Sequence, residues 1–168
     1  MNKFKKALSG TLAGMIFAAS CVGGFAKVAD DVLGTKYEEA AEVLGGLNIM
    51  VGDKDTGNFR PDEPLKRSEF AKIAVAELGL TSVAETSDHP TKYPDVVSDH
   101  WANGYINVAT DQGLVIGDDT GNFRPDDTIS YAEAMTVLVR MLGHEPSALS
   151  KGSWPTGHLV VGTQIGLA

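Results

Sequence analysis

The chain has 168 residues and a formal net charge of −8 at pH 7, with 43% hydrophobic and 21% charged residues. This composition is typical of a folded globular protein, and the length allows one ordinary domain or two to three small repeated units. Nucleic acid is excluded as an expected partner, because phosphate binding needs a basic face and no Lys/Arg cluster follows the first few residues.

Residues 1–26 predict a secretory signal peptide. Lys3, Lys5 and Lys6 precede an apolar stretch of small residues, and Gly24-Phe25-Ala26 fits a small-x-Ala cleavage site. The alternative is an uncleaved membrane anchor, although the apolar run is short for a bilayer span. No later apolar run is long enough to cross a membrane, so we expect no transmembrane span in the mature chain.

The single cysteine, Cys21, lies inside this predicted signal peptide. A mature protein cleaved after Ala26 would contain no cysteine, which excludes disulfides and thiolate chemistry. A lipoprotein cleavage box at residues 18–21 is the alternative, but Ala18 stands where a larger aliphatic residue is usual. Cleavage would also remove three lysines and change the net charge from −8 to −11.

A seven-residue motif occurs twice. Thr56–Asp62, with the sequence TGNFRPD, returns as Thr120–Asp126, 64 residues later. Each copy follows a turn rich in Gly and Asp and precedes an apolar stretch with helical spacing. A repeat of this length predicts an architecture of stacked units, with function on a surface that the units build together. We expect the phenylalanine of the motif to enter the core and the arginines, Arg60 and Arg124, to hold the turn by hydrogen bonds.

The first predicted unit covers residues 27–80 and contains two helices. Helical spacing predicts the first from Tyr37, Ala40, Ala41, Leu44 and Leu47, and a short β-prone run at 49–51 follows it. The second helix presents one apolar face made by Phe70, Ile73, Ala74 and Leu78. Residues 81–92 are rich in Ser, Thr, Asp and Pro without periodicity, and we interpret them as a linker.

The second predicted unit, residues 93–145, repeats the plan. Its first helix begins near Trp101 and carries Tyr105 and Val108 at helical spacing. Ser130 and Glu133 form a capping box at the start of its second helix, and Gly143 ends that helix. The predicted buried stripe of this helix comprises Ala134, Val137, Leu138, Met141 and Leu142.

A third unit begins at 146–168, where Trp154–Val161 aligns with Trp101–Val108. The sequence stops before the second helix of this unit. Because repeats bury their apolar faces against neighbours, we expect the sequence to be a fragment of a longer protein. The alternative is a genuine end, with the lone helix capping the second unit.

The combination of helix, Asp-rich turn, Phe-Arg-Pro-Asp and x-Arg-x-Glu opening a second helix resembles the S-layer homology domain. The resemblance covers two whole repeats and the start of a third. It implies an all-α fold in which repeated helix-loop-helix units form a pseudo-threefold, three-pronged helical bundle, with the third unit incomplete. It also implies a secreted, cell-surface location and a non-catalytic function: anchoring a surface or S-layer protein to the cell wall. The implied partner is a secondary cell-wall polysaccharide linked to peptidoglycan, often bearing pyruvylated sugars.

The resemblance also assigns candidate ligand-binding residues. The family signature Thr-Arg-Ala-Glu stands here as Lys66-Arg67-Ser68-Glu69, so Arg67 takes the ligand-gripping place, where a guanidinium can hold a carboxylate through two hydrogen bonds. In the second copy Tyr131 replaces the arginine, which makes the two sites unequal. The full predicted set comprises Arg67, Lys66, Glu69, Trp101, Ser130, Tyr131 and Trp154.

Several candidate residues have an alternative, structural interpretation. Arg67 could be a surface arginine paired with an acid such as Glu63, and Trp101 and Trp154 could be core residues. Glu69 and Glu133 are interpreted as helix caps rather than as catalytic acids.

Two rival functions are a calcium-binding duplicated helix-loop-helix module and an anchor for an exported enzyme whose catalytic domain is outside this chain. A calcium loop starting at Asp53 would place Gly57 and Pro64 at ligand positions 5 and 12, so the spacing disfavours it. The four histidines, His89, His100, His144 and His158, show no zinc spacing and no neighbouring nucleophile motif. We therefore predict no metal, no cofactor and no catalytic residues.

Overall fold

The structure is a computed structural model that describes residues 29–167; the predicted signal peptide lies outside the described residues. Its regular elements are seven helices, and the only β-pairing of the described residues is an isolated bridge between Lys66 and Thr128. The predicted all-α class is confirmed, while the pseudo-threefold arrangement stays a prediction. The helices are α1 (Glu38–Gly46), α2 (Arg67–Glu77), α3 (Thr81–Glu85), α4 (Asn103–Asp111), α5 (Tyr131–Met141), α6 (Glu145–Lys151) and α7 (Thr156–Gln164).

One packing arrangement is used twice along the chain. Helix α4 packs against α2 and α3, and α7 packs in the same way against α5 and α6. In each case the first helix of a unit lies on the second helix of the preceding unit. Consecutive predicted units therefore pack directly against each other, and the interfaces lie between one repeat and the next.

The segment interpreted as a linker contains α3, which packs against α4. Ala84 of α3 is buried, and its carbonyl oxygen lies directly against Gly104 of α4, where an added Cβ would overlap it. Gly157 of α7 meets the Ala148 carbonyl of α6 in the same way. A five-residue helix with one small buried residue leaves little periodic signal, which explains why composition alone favoured a linker.

The faces that the second helices bury overlap only in part with those predicted. In α2 Ala74 is buried as predicted, but Ala71 and Val75 are buried with it, and Leu78 is exposed. Phe70 packs only at the margin of this core. The small residues face α4 because they allow it to approach closely, and the larger ones lie at the edge of the interface.

The buried face of helix α5 likewise differs in part from the predicted one. Val137 is buried as predicted, but Met135 and Val139 join it, and Leu142 is exposed. Gly162 of α7 lies against the Met135 side chain, which draws this face of α5 into the interface. As predicted, Gly143 ends the helix, with a positive φ of 74° and an amide that donates to the carbonyl of Arg140.

The β-prone run at 49–51 forms no strand. The chain leaves α1 through Asn48, whose φ is 56°, and the following amides of Ile49 and Met50 both donate to the Leu44 carbonyl. The amides of this run thus form the C-terminal hydrogen bonds of α1 instead of pairing with a strand. Asn48 takes the position of Gly113 in the second unit, where φ is 70°.

Candidate functional site

The repeated loop is held by an aspartate that precedes it by 28 or 29 residues. Asp31 accepts the amides of Phe59 at 3.1 Å and Arg60 at 2.7 Å, and Asp95 accepts those of Phe123 at 2.9 Å and Arg124 at 2.6 Å. The aspartates stabilise the left-handed backbone of Arg60 and Arg124, where φ is 54° and 60°. Sequence reasoning missed this pair, although each aspartate precedes its phenylalanine by the same interval.

The arginines of the motif hold the loop, as predicted. Arg60 donates to Glu63 at 2.9 Å and to Glu69 at 3.0 Å. Arg124 donates to Glu133 at 2.6 Å and also pairs with Asp118 at 3.2 Å. Each arginine therefore joins its turn to the start of the helix that follows.

The motif phenylalanines differ in burial. Phe123 is 1% exposed and lies in the main core, as predicted. Phe59 is only partly buried and packs against a separate small cluster of Ala29, Val32 and Ala41.

The predicted helix caps are present. The Glu69 carboxylate accepts the Lys66 amide at 2.8 Å, and the Glu133 carboxylate accepts the Ser130 amide at 2.8 Å. The Ser130 hydroxyl also accepts the Glu133 amide at 3.3 Å, which completes a capping box in the second unit. Lysine has no side-chain acceptor, so the first unit makes only half of this arrangement.

Arg67 lies in an interface between the repeats. Its side chain is 9% exposed; Nε donates to the Phe123 carbonyl at 2.7 Å and Nη1 to Glu133 at 2.6 Å. The guanidinium also lies 5.0 Å from the centroid of the Phe123 ring. The alternative of a surface arginine paired with Glu63 is therefore wrong, since Arg60 holds Glu63.

The electrostatics of this cluster follow from its burial. Burial lowers the pKa of Arg67, although Glu133 opposes the shift. Burial by itself would raise the pKa of Glu133, but the hydrogen bonds from Ser130, the charge of Arg67 and a hydrogen bond from Arg124 outweigh it, so that pKa lies below its ordinary range. Glu133 thus stays ionised between two guanidinium groups.

Backbone hydrogen bonds join the same two regions. The amides of Arg67 and Ser68 donate to the carbonyls of Asp127 and Pro125, and the Ile129 amide donates to the Leu65 carbonyl. Outside the backbone, Lys66 pairs with Asp126 at 2.8 Å. The start of α2 is therefore bound to the loop of the second repeat.

A groove of about 420 Å³ lies between the first repeat and the beginning of the second. We call it the first groove. Trp101 lines it from the second repeat and is 53% exposed, so the core alternative for this residue is wrong. The other lining residues are Ile49, Met50, Val51, Gly52, Asp53, Lys54, Asn58, Phe59, Arg60, Leu65, Glu69, Lys72 and Ile73.

The structure brings only part of the predicted site together. Glu69 and Trp101 line the first groove, whereas Arg67 and Ser130 meet at Glu133. Tyr131 is 63% exposed at the start of α5.

Trp154 occupies the place in the third unit that Trp101 occupies in the second. It is 56% exposed, so it is not a core residue. Its indole Nε1 donates to Thr136 of α5 at 2.9 Å.

The described residues hold no group of three or more His, Cys, Asp or Glu side chains placed to bind a metal ion. His158 of α7 is buried, and its Nε2 lies 2.7 Å from the Glu145 carboxylate of α6, so this pair joins the two helices. Arg140 contacts the same carboxylate at 3.2 Å.

None of the described helices has the length and apolar character needed to span a bilayer.

The comparisons with known proteins agree with this repeat structure. The sequence model of the S-layer homology domain matches residues 30–71 and 92–135. The chain is 35% identical over 162 residues to the surface layer protein of Brevibacillus choshinensis and 33% identical over 162 residues to the middle cell wall protein of Brevibacillus brevis strain 47. Each match covers 96% of this chain, and the chain spans 14% and 15% of those two proteins.

A shorter match is to the cellulosome-anchoring protein of Acetivibrio thermocellus, with 32% identity over 100 residues, 59% of this chain and 22% of that protein. The two segments matched by the family model each contain the repeated loop motif and the start of the following helix, the parts that the structure joins across the repeats. The chain therefore belongs to the S-layer homology domain family and is a protein of the cell surface.

Proposed function

We propose that this chain is a non-catalytic module that anchors a surface protein to the cell wall by binding a wall polysaccharide. The first groove carries the proposal. An exposed tryptophan faces apolar side chains and several cations there, and sugars bind proteins through aromatic stacking combined with polar contacts. The relatives named as surface layer, middle cell wall and cellulosome-anchoring proteins support the same function.

The partner that fits best is an anionic polysaccharide, such as one bearing pyruvylated sugars. The chain is acidic overall, yet the groove lining includes Lys54, Arg60 and Lys72 against Asp53 and Glu69. A local excess of positive charge in an acidic protein favours a negatively charged ligand.

The ligand-binding role of Arg67 stays a prediction, and it requires that the guanidinium be released from its present partner. In the described structure its guanidinium is engaged by Glu133 and the Phe123 carbonyl. A ligand carboxylate would have to replace Glu133, which Arg124 would continue to hold. Lys66 remains a candidate contact of the first site, and Ser130, Tyr131 and Trp154 remain candidate contacts of a second, unequal site.

Binding to isolated cell walls tests the function. Purified chain should pellet with sacculi of Brevibacillus brevis and should stay in solution after the secondary polymer has been removed from them by acid. Binding that survives polymer removal would contradict the proposal, because peptidoglycan itself would then be the partner. A Trp101→Ala variant should pellet less at equal protein concentration, by about fivefold to tenfold, the range expected for losing one stacking contact of 1 to 1.5 kcal/mol.

A further inference from the structure

Two lysines line the first groove. Neither Lys54 nor Lys72 forms an ion pair with any of the described residues, and the Lys72 ammonium lies 5.8 Å from the centroid of the Tyr105 ring. The other cations near the predicted sites are all engaged. Arg60 pairs with Glu63 and Glu69, Lys66 with Asp126, and Arg67 with Glu133.

The carboxylates of the groove do not neutralise these lysines. Asp53 accepts the amides of Asp55 and Thr56 at 3.0 and 3.1 Å within its own turn, and these bonds lower its pKa. Glu69 is held by Arg60 and by the Lys66 amide. Lys54 and Lys72 are therefore the groove cations available to an incoming anion.

Their surroundings suit a sugar that carries one acidic group. Ile73 and the exposed ring of Trp101 line the groove beside Lys72 and offer apolar surface to the face of a sugar ring. An ammonium is a point charge that does not require the planar geometry a guanidinium prefers. The class of ligand is therefore an anionic saccharide, with either a carboxylate or a phosphate.

The corresponding positions of the second repeat lack both charges. The turn that contains Lys54 has Asp119 in the second copy, and Lys72 is replaced by Thr136. Thr136 is 5% exposed and accepts the indole N–H of Trp154 at 2.9 Å. The indole N–H of Trp101 has no protein acceptor among the described residues, so it can donate to a ligand.

We propose that Lys54 and Lys72 hold the anionic group of the wall saccharide in the first groove, and that the corresponding surface of the second repeat does not bind it. This inference rests on the proposed function and names the ligand class and the residues that select it. In this proposal two lysines that line the groove bind the anionic group, in place of the helix-start arginine Arg67.

The two tryptophans of the chain provide one reporter for each repeat interface. We would record the indole N–H signals in a ¹H–¹⁵N spectrum, assign them with Trp154→Phe, and titrate with glucuronate, glucose 6-phosphate and methyl glucoside. The Trp101 signal should shift with one or both anions and not with the neutral sugar, while the Trp154 signal stays unchanged. The two anions distinguish a carboxylate ligand from a phosphate ligand.

The double variant Lys54→Met/Lys72→Met should lose about fivefold to tenfold in affinity for the active anion, as expected for two charge contacts at the protein surface. The matched control is Lys92→Met/Lys151→Met, which makes the same change in net charge away from the groove and should bind as the original chain does. The proposal is wrong if neither anion shifts the Trp101 signal, if both indoles respond alike, or if the groove variant binds as well as the control.

Pelleting with sacculi separates this inference from the proposed function. If the original chain and the groove variant pellet equally, wall anchoring stands and the lysine pair is wrong. If the original chain does not pellet, the anchoring function is wrong, and the sugar titration still decides the role of the lysines by its own readout.

Discussion

At the scale of single residues, one arginine has a structural role that its sequence motif does not reveal. Arg67 spans 56 and 66 residues to reach the Phe123 carbonyl and Glu133. In the motif it resembles a solvent-facing ligand contact. In the structure it joins α2 to the loop of the next repeat, so its substitution affects folding as well as any binding.

Replacing Arg67 by alanine should lower the free energy of unfolding by about 1.5 to 3 kcal/mol, the range for a hydrogen bond to a charged group. Urea denaturation followed by circular dichroism measures this change. Arg60→Ala is the control, because its ion pairs are largely exposed and should contribute about 0 to 1 kcal/mol. Equal effects of the two substitutions would contradict the buried role of Arg67.

The predictions made for single residues succeed where the two interacting residues are close together in the sequence. The predicted caps made by Glu69 and Glu133 span three residues, and the hydrogen bonds of Arg60 and Arg124 to those glutamates span nine; all are present. The Asp95 contact with the Phe123 amide and the Arg67 contact with Glu133 depend on the packing of distant segments. No spacing rule places Arg67 beside Glu133, so sequence reasoning could not find that pair. The aspartate and phenylalanine do share one signal, since the interval between them is the same in both repeats.

At the scale of elements, four helices were predictable, whereas the buried faces of α2 and α5 were predictable only in part. Apolar periodicity located α1, α2, α4 and α5, because each spans two or more turns. Which face is buried depends on how closely the neighbouring helix approaches. In this fold small residues allow the close approach and are therefore buried. A prediction from hydrophobicity alone would instead bury the leucines, some of which remain exposed.

Two glycine substitutions test this close approach. Gly104→Ala should destabilise the fold by about 1 to 3 kcal/mol, because the added methyl group would overlap the Ala84 carbonyl and force α3 away from α4. Gly46→Ala is the matched control: it lies at the end of α1 with open space around it and should stabilise by up to about 1 kcal/mol through helix propensity. Thermal unfolding of both variants gives the sign of each change in stability. If Gly104→Ala unfolds at the same temperature as the original chain, the tight contact between α3 and α4 is refuted.

At the scale of the whole molecule, the charge distribution makes stability depend on pH. The pKa values of Glu133, Glu145 and Asp118 all lie below their ordinary ranges in the folded chain. Burial opposes the shift at both glutamates. Hydrogen bonds and arginine charges overcome it, while the Asp118 shift comes first from the Thr120 hydroxyl.

Because the folded pKa values are lowered, the unfolded chain binds more protons in acid. The stabilisation by these groups should be complete above the unfolded pKa values of about 4, and it should be lost as the pH falls through the lower folded values. Urea midpoints measured between pH 7 and pH 3 should decrease. Glu133→Gln should reduce this dependence, and a midpoint that stays constant down to pH 3 would contradict it.

The bonds across the repeats also determine the order in which the chain can fold. The start of α2 is completed by backbone and side-chain partners at residues 123–133, about 60 residues further along the sequence. A chain that leaves the ribosome or crosses a membrane with its N-terminus first must expose these partners before the first repeat can close. The hydrogen bonds at the start of α2 are therefore completed only once the loop of the second repeat is present.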